Sequence, residues 1–266
     1  MEIAVTGAAG QLGREVSRAV ARAGHRPRRI DRSHGAETDV RADLRHLDET
    51  AAALADVDAV IHLAAHPKPL PDRTSVVHND NTTIAFNVLA TVTELGIPKA
   101  VVISSINAIG GEFSEIHHYD RFPVDFEQAS QARDEYSFSK WVLEQQVEYF
   151  ARLRGDQCSL VCLRIHAVQP REVQERAYLA SPARGRRNLW GYSPPEATAV
   201  AIVRAAERPL PGVHFGYLVS TQNAMGVDSR ELLRTAFPDT PCAESIRGTR
   251  GLFDTSFAET ALSWQS

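Results

Sequence analysis

The sequence predicts an α/β fold: a doubly wound parallel sheet with helices on both faces and a small C-terminal lobe. Three observations support this prediction. Short runs of β-branched and apolar residues alternate with segments of helical periodicity. A glycine-rich turn directly follows the first of these runs. After residue 167 the alternation gives way to a polar and basic stretch, which indicates a different kind of structure there.

The first predicted strand covers residues 1–6 and leads directly into a glycine-rich turn. Residues 14–23 then show the apolar spacing of a helix. Glycines let backbone amides approach a diphosphate closely, and the free N–H groups at the start of a helix attract its negative charge. Strand, turn and helix in this order predict a Rossmann-type entrance for a dinucleotide. The cofactor contacts expected here are those of Gly7, Gly10, Gln11, Leu12 and Gly13.

The second predicted strand covers residues 28–31 and ends at Asp31. This position is close to the ~20-residue offset at which an acidic residue binds the adenosine ribose of a dinucleotide. Such an acid would repel the additional phosphate of NADP, so NAD is the expected cofactor. Arg32 and Arg14 could instead receive that phosphate, which keeps NADP open as the alternative.

The remaining strands of the predicted sheet alternate with helices. Strands are predicted over residues 58–65, 100–105 and 159–165, and helices around residues 47–54, 74–95 and 136–150. Right-handed crossovers place the ends of parallel strands on one edge of the sheet, where such folds bind their ligands. His66 and His166 each follow a strand at that edge, so either could contact substrate. An ordinary loop histidine is the alternative interpretation for both.

Residues 1–166 are predicted to form the dinucleotide-binding domain, and residues 167–266 a smaller lobe that binds substrate and depends on it. In the lobe, the pattern indicates helices over 194–207 and 228–237, a strand over 212–220 and a short helix within 253–264. Residues 171–188 show no sustained period. Their basic side chains, Arg171 among them, suggest an acidic substrate, with a solvated loop as the alternative.

Composition argues against several classes of partner. The net charge of −4 gives no field that favours nucleic acid. No apolar run reaches the ~18 residues of a membrane span, so no membrane contact is expected. The three cysteines lack the spacing of a metal site. No secretion signal precedes the first strand, so we expect a cytoplasmic location.

Tyr136 and Lys140 lie one turn apart on a predicted helix, so their side chains share one face. The ammonium group of a lysine favours the phenolate form of a nearby tyrosine and lowers its pKa from about 10. A tyrosine activated in this way can take a proton from a substrate hydroxyl, or return one, near neutral pH. The pair therefore predicts acid–base chemistry at an oxygen atom.

These motifs, taken in order, resemble those of the extended short-chain dehydrogenase/reductase family, also called the NAD-dependent epimerase/dehydratase group. The resemblance covers about residues 1–166. It is carried by the glycine loop of residues 6–13, Asp43-Leu44, His62-Leu63-Ala64-Ala65, Asn81, Ser104-Ser105 with Gly110, and Tyr136 with Lys140.

The resemblance implies roles for these residues. Ser105, Tyr136, Lys140 and Asn81 would be catalytic, with Asn81 as a structural asparagine on the helix behind the active site. Tyr136 and Lys140 would also contact the cofactor, and Lys140 would hold the nicotinamide ribose. The remaining cofactor contacts implied are those of Asp43, Leu44, Leu63, Ala64, Ala65 and Ile165. A homodimer formed through the helices around 74–95 and 136–150 is also implied.

Two departures from the family narrow the chemistry. Ile106 and Asn107 stand where the 4,6-dehydratases have an Asp-Glu pair, so water elimination is not expected. Asn107 could instead bind a substrate hydroxyl or shape a turn. The short C-terminal lobe argues against a nucleotide diphosphate on the substrate. The lobe and the Ser-Ser-x-Asn sequence are similar to the uronate dehydrogenase branch.

The function expected is an NAD(P)-dependent oxidoreductase that transfers hydride at a secondary alcohol or ketone. Its substrate would be a small molecule, a sugar or a sugar-derived acid. Substrate contacts are expected from His66, Asn107, His166 and Arg171. One alternative is an epimerase that keeps its NAD bound and returns the hydride to the other face of the sugar. Another is a dinucleotide-binding regulator without catalytic activity.

Overall fold

One parallel sheet forms the centre of the protein. The computed structural model describes residues 1–70, 72–113 and 118–266. Among these residues, seven strands pair in the order β3-β2-β1-β4-β5-β6-β7. Their bounds are β1 Glu2–Thr6, β2 Arg26–Asp31, β3 Val40–Arg41, β4 Ala59–His62, β5 Lys99–Ser105, β6 Ser159–Ile165 and β7 Gly212–Leu218.

Helices cover both faces of the sheet and its carboxyl edge. Their bounds are α1 Gln11–Arg22, α2 Leu47–Leu54, α3 Thr74–Glu94, α4 Glu135–Arg154, α5 Arg171–Ala180, α6 Pro182–Arg187, α7 Pro195–Glu207, α8 Ser229–Ala236 and α9 Ser256–Ala261. Among residues 1–70, 72–113 and 118–266, each helix is too short or too polar to cross a bilayer.

Successive residues of β1 belong to two different hydrophobic cores. Ile3 and Val5 pack with α1 and α7 on one face, whereas Ala4 packs with α2, α3 and α4 on the other. Side chains of a strand alternate between the faces of its sheet, so a strand covered on both sides is apolar at every position. This burial explains why the strands appear in the sequence as continuous apolar runs. The predicted doubly wound parallel sheet is thereby confirmed.

Three parts of the secondary structure differ from the sequence prediction. The strand β3 was not predicted, because it has only two residues and one of them is arginine. The strand predicted over 58–65 ends at His62, and residues 63–65 form a loop at the sheet edge. Residues 171–187, which show no sustained period, form the helices α5 and α6.

The strand predicted over 212–220 joins the main sheet as β7. It pairs with β6 in parallel from Gly212 to Leu218. A third hydrophobic core lies beyond this end of the sheet and combines residues from before and after residue 166. It includes Ile106, Ile109, Phe122, Tyr178, Trp190, Tyr217, Phe237 and Phe253. The division of the chain at residue 166 into two functional parts stays a prediction.

A buried ion pair joins α4 to β6. Arg164 donates to both carboxylate oxygens of Glu144, at 2.9 Å each, and both side chains are at most 4% exposed. Ser104 Oγ donates to the same carboxylate at 2.6 Å. Arg164 also donates to the hydroxyl of Tyr217 at 2.7 Å and lies over the ring of Phe126. Since the two buried charges neutralise each other, the network holds α4 in one position on the sheet.

Candidate active site

A cleft of about 600 Å³ follows the carboxyl ends of the strands, from the ends of β2 and β3, past the glycine loop, to the ends of β5 and β6. Right-handed crossovers bring these strand ends to one edge, as the sequence predicts. The predicted site residues that line the cleft are Gly7, Gly10, Gln11, Leu12, Gly13, Asp31, Arg32, Asp43, Leu44, Leu63, Ala64, Ala65, His66, Ser105, Asn107, Tyr136, Lys140, Ile165 and His166. Asn81 and Arg171 do not line it.

The glycine loop leaves room for an anion at the start of α1. Gly7 has a positive φ of 71°, and a Cβ atom there would lie 2.8 Å from the backbone nitrogen of Ala64. A Cβ atom on Gly13 would overlap the carbonyl oxygen of Gly7. The residue that caps α1 is Gly10, which provides no side-chain acceptor for the first-turn amides. These amides therefore point at the cleft with their positive ends, as a diphosphate site requires.

The carboxylate of Asp31 is fixed at the end of β2. One oxygen accepts from the backbone N–H of Ala9 in the glycine loop at 3.1 Å. The other accepts from the backbone N–H and the hydroxyl of Ser33, at 2.9 and 2.8 Å. The acid therefore has a defined orientation toward the cleft, and Arg32 lies exposed beside it. At the same end, the guanidinium of Arg45 lowers the pKa of Asp43 to about 2.

Tyr136 lies in the first turn of α4, directly against the end of β5. Asp134 caps the helix by accepting from the backbone N–H of Ser137, so the helix begins immediately before the tyrosine. The side chain of Ser105 lies close enough to Tyr136 to lower the pKa of the phenol, and both line the cleft. The ring of Phe113 packs edge-on against the phenol, with 5.8 Å between the ring centroids. The structure thus brings together the two hydroxyl groups predicted to act on one substrate oxygen.

Burial dominates the acid–base properties of the pair on α4. It raises the pKa of Tyr136 to about 12, against the opposing effect of the hydrogen bond from Ser105. It lowers the pKa of Lys140 to about 8, and the nearby carboxylate of Glu144 opposes this shift. The Lys140 ammonium donates to the Ile103 carbonyl at 2.9 Å. The expectation that Lys140 brings the tyrosine pKa below its ordinary value is therefore wrong for the protein alone, because desolvation of the phenolate outweighs the other effects.

Asn81 lies behind the cleft and connects two elements that form it. Its side-chain oxygen accepts from the backbone N–H of His66 at 2.7 Å. Its amide nitrogen donates to the carbonyl of His66 at 3.2 Å and to Ser139 Oγ at 3.0 Å. Ser139 in turn donates to the carbonyl of Tyr136 at 2.7 Å. The geometry lets Asn81 position the loop after β4 against α4, and its role in catalysis stays a prediction.

The two histidines at the cleft differ in what they can bind. His66 has Nε2 at 2.9 Å from a carboxylate oxygen of Asp80 and lines the cleft. His166 is fully engaged: Nδ1 accepts from the backbone N–H of Ala167 at 2.6 Å, so Nε2 donates to the carbonyl of Asn188 at 3.1 Å. Burial lowers the pKa of His166 to about 4, which keeps the ring neutral. This arrangement leaves neither ring nitrogen of His166 for a substrate.

The substrate contact predicted for Arg171 is wrong, because its side chain donates to the carbonyl of Ala224 at 3.0 Å and does not line the cleft. Other side chains at the substrate end were not predicted from the sequence. Glu112 lines the cleft and forms an ion pair with Arg184 at 2.8 Å. Further lining residues are Pro67, Phe113, Val168, Gln169 and Asn188. They come from irregular segments after strands, where no periodic signal or motif marks them. Within the described ranges, no group of acidic, His or Cys side chains could hold a metal ion.

The sequence matches the model of the NAD-dependent epimerase/dehydratase family over residues 3–174. The chain belongs to this family. This match confirms the resemblance drawn from the motifs, but it does not confirm the likeness to the uronate dehydrogenase branch. The members of the family are enzymes. A search of curated protein sequences gives no significant match.

Solved structures share the fold of this family member at low sequence identity. MoeE5 in complex with UDP-glucose and NAD aligns with a TM-score of 0.72 and 20% identity, over 100% of this chain and 93% of that one. UDP-N-acetylglucosamine 4-epimerase from Bacillus cereus aligns with a TM-score of 0.69 and 23% identity, again over 100% and 93%. A short-chain dehydrogenase/reductase superfamily protein from Agrobacterium tumefaciens, with bound NAD, aligns with a TM-score of 0.73 and 16% identity. The alignment covers 100% of this chain and 92% of that one.

Replacing Lys140 with methionine should stabilise the ligand-free protein while removing the buried ammonium. The shift of the lysine pKa from 10.5 to about 8 corresponds to a cost of about 3 kcal/mol. A lowered lysine pKa means that this cost is fully present below pH 8 and disappears as the pH approaches 10.5. Thermal unfolding of the variant and the wild type from pH 6 to 10 measures the difference. Lys68→Met, at an exposed position, is the matched control; a Lys140→Met protein less stable at every pH would contradict the assignment.

Proposed function

We propose that this protein transfers hydride between NAD and a secondary alcohol or ketone of a sugar or sugar-derived molecule. One observation carries the proposal: Ser105, Tyr136 and Lys140 line one end of a cleft that continues past the glycine loop to Asp31 and Asp43. A dinucleotide extended along this cleft would have its diphosphate at the loop and its nicotinamide near the three side chains. The cleft therefore has both the shape and the chemistry that a nicotinamide enzyme needs.

The residues present fit NAD along the whole cleft. The first-turn amides of α1 would hold the diphosphate, and Asp31 would bind the adenosine ribose. Asp43 and Leu44 would contact adenine, and Lys140 the nicotinamide ribose. Leu63, Ala64, Ala65 and Ile165 would line the remainder. The NAD complexes among the similar structures support NAD, while the exposed Arg32 keeps NADP open as a second cofactor.

The acid–base step falls to Tyr136. The cofactor supplies the carbon that accepts or donates hydride. In reduction the neutral phenol gives its proton to the oxygen of the forming alcohol, and in oxidation the phenolate takes that proton back. Ser105 holds the same oxygen in line by a hydrogen bond. Because burial favours the neutral phenol, this site is prepared for proton donation at neutral pH, and oxidation requires a positive charge nearby or a higher pH.

The comparisons and the structure change the expectation for the substrate. This chain covers 93% of MoeE5 in its complex with UDP-glucose and 94% in its complex with UDP-glucuronic acid, so its length gives no argument against a nucleotide sugar. Two of the arginines that suggested an acidic substrate are engaged elsewhere, Arg171 with a carbonyl and Arg184 with Glu112. We therefore propose a neutral hydroxyl-rich sugar unit at this end of the cleft, with Gln169 and Asn188 on its wall.

An NAD-retaining epimerase is the second candidate, because several of the similar structures are UDP-sugar 4-epimerases. The dehydrogenase or reductase would release its cofactor, and sugar would drive net formation or loss of reduced nicotinamide. The epimerase would be purified with NAD already bound and would interconvert sugar isomers without net redox change. Both candidates use the same three side chains. A regulator without catalysis has less support, since the family consists of enzymes and the catalytic residues are present.

We also propose that the protein is a homodimer and cytoplasmic. α3 and α4 pack side by side and present large apolar side chains to solvent. Phe86 is 45% exposed, Tyr149 is 46% exposed and Leu153 is 58% exposed. Apolar groups clustered on one helix pair are typical of a surface that another chain covers. A second copy of this pair would complete a four-helix interface.

Replacing Phe86 and Tyr149 together with glutamate should convert the dimer into a monomer, because two charges would be buried without partners. Sedimentation of the purified protein measures the mass in solution. Leu179→Glu on α5, a site that is 64% exposed, is the control and should leave the dimer intact. A wild-type monomer, or a dimer that survives the double substitution, would refute this interface.

Replacing Tyr136 with phenylalanine should lower turnover by about 10²- to 10⁴-fold, because the proton donor is lost while the ring still fills its site. NAD affinity, measured by titration calorimetry, should stay within about twofold, since a single neutral hydroxyl contributes little to binding a whole dinucleotide. Turnover is measured with a panel of sugars and nucleotide sugars. Tyr149→Phe, on the exposed side of α4, is the control. Full activity of Tyr136→Phe would exclude the proposed mechanism.

A further inference from the structure

The hydroxyl of Ser105 is surrounded by donors. A serine hydroxyl has one hydrogen to donate and two lone pairs that accept. The backbone N–H of Asn107 donates to Ser105 Oγ at 3.1 Å, and the side-chain Nδ2 of Asn107 donates to the same atom, also at 3.1 Å. Both lone pairs are thereby occupied. Only the serine hydrogen is then left to interact with Tyr136, so a hydrogen bond between the two side chains can run only from the serine O–H to the phenol oxygen. This direction agrees with the effect of Ser105, which lowers the pKa of the phenol.

The orientation of the Asn107 amide is itself determined by a neighbour. Its Oδ1 accepts from the backbone N–H of Glu112 at 2.7 Å. Only the oxygen of an amide can accept, so Nδ2 is the atom that faces Ser105. A short 3₁₀ helix over Ile106–Ile109, which Ser105 caps, brings the asparagine back onto the serine. At Gly111 a Cβ atom would overlap Asn107 Oδ1, so the turn accommodates the amide only with glycine there.

We propose that Asn107 is a positioning residue that fixes the direction of the Ser105–Tyr136 hydrogen bond, with serine as the donor. The inference rests on the proposed function, in which Tyr136 exchanges a proton with substrate. A serine that donates to the phenol oxygen stabilises phenolate, whereas a serine that accepts from it would stabilise the neutral phenol. When a substrate is bound, the same O–H can turn from the phenol to the substrate oxygen that develops negative charge, because both lone pairs of the serine stay occupied by Asn107. Asn107 thus acts through Ser105 and does not need to contact substrate.

Substitution of Asn107 by leucine tests this role. Leucine has nearly the same size and no charge, but it cannot donate, so one lone pair of Ser105 becomes free to accept from Tyr136. The titratable groups that face this part of the cleft are unchanged in the variant: Asp134 at the N-cap of α4, Lys140 on α4, and Glu112 and His66 on the cleft wall. We expect the Tyr136 pKa in the NAD-loaded protein to rise by at least about one unit, and oxidation turnover to fall about tenfold.

The ultraviolet absorbance of tyrosinate measures this pKa. The contribution of Tyr136 is the difference between each protein and the same protein carrying Tyr136→Phe. Asn79→Leu, at an exposed site on α3, is the matched control and should leave the titration unchanged. Asn107→Asp keeps an acceptor for the Glu112 N–H and serves as the second variant if the leucine protein does not fold. The Asn107→Asp variant should also raise the pKa of Tyr136, because aspartate cannot donate to Ser105.

A double-mutant cycle with Ser105→Ala separates this role from a structural one. If Asn107 acts through the serine, Asn107→Leu should produce no further shift in the Ser105→Ala protein. An Asn107→Leu shift that persists without Ser105, or an unchanged Tyr136 pKa in a leucine variant that binds NAD normally, would overturn the inference. The titration does not depend on turnover. The expected shift in a protein that converts no sugar would therefore contradict the proposed function and leave this inference standing.

Discussion

Helix α4 is held against β5 by buried polar contacts, and the geometry of the site depends on them. Lys140 donates to the carbonyl of Ile103, and Glu144, one turn further on, accepts from Ser104 and from Arg164. Removing one member of a buried ion pair typically costs about 3–5 kcal/mol, because the other charge is left without a partner. The position of α4 on the sheet is therefore fixed by chemistry as well as by packing. It places the tyrosine of the first helical turn against the serine that ends β5.

Burial changes the acid–base properties of the site and also costs folding free energy, because a charged group is removed from water. It moves the pKa of Tyr136 upward and that of Lys140 downward, so both groups are driven toward their neutral forms. Two hydrogen bonds oppose this tendency: the ammonium donates to a strand carbonyl, and Ser105 interacts with the phenol. A site of this kind is sensitive to the direction of each hydrogen bond, since no bulk water is present to compensate for a wrong one.

The positions of site residues could be predicted from the sequence where they follow from the order of strands and helices along the chain. Parallel strands with right-handed crossovers place their carboxyl ends on one edge, so Gly7, Asp31 and Ser105 could be assigned to one cleft before the structure was known. The spacing of the tyrosine and the lysine on α4 was equally readable. Glu112 and Asn188 could not be predicted, because they come from segments without periodicity. The direction of hydrogen bonds and the effect of burial on pKa depend on tertiary contacts, so neither could be inferred from residue types.

A crystal structure of the protein with NAD tests the central claim most directly. The account predicts the diphosphate at the amides that follow Gly10 and the ribose of the nicotinamide at Lys140. The nicotinamide ring should then lie beside the hydroxyl groups of Ser105 and Tyr136, with space for a sugar carbon between them. A dinucleotide bound elsewhere, or a nicotinamide ring directed away from these two hydroxyl groups, would contradict it.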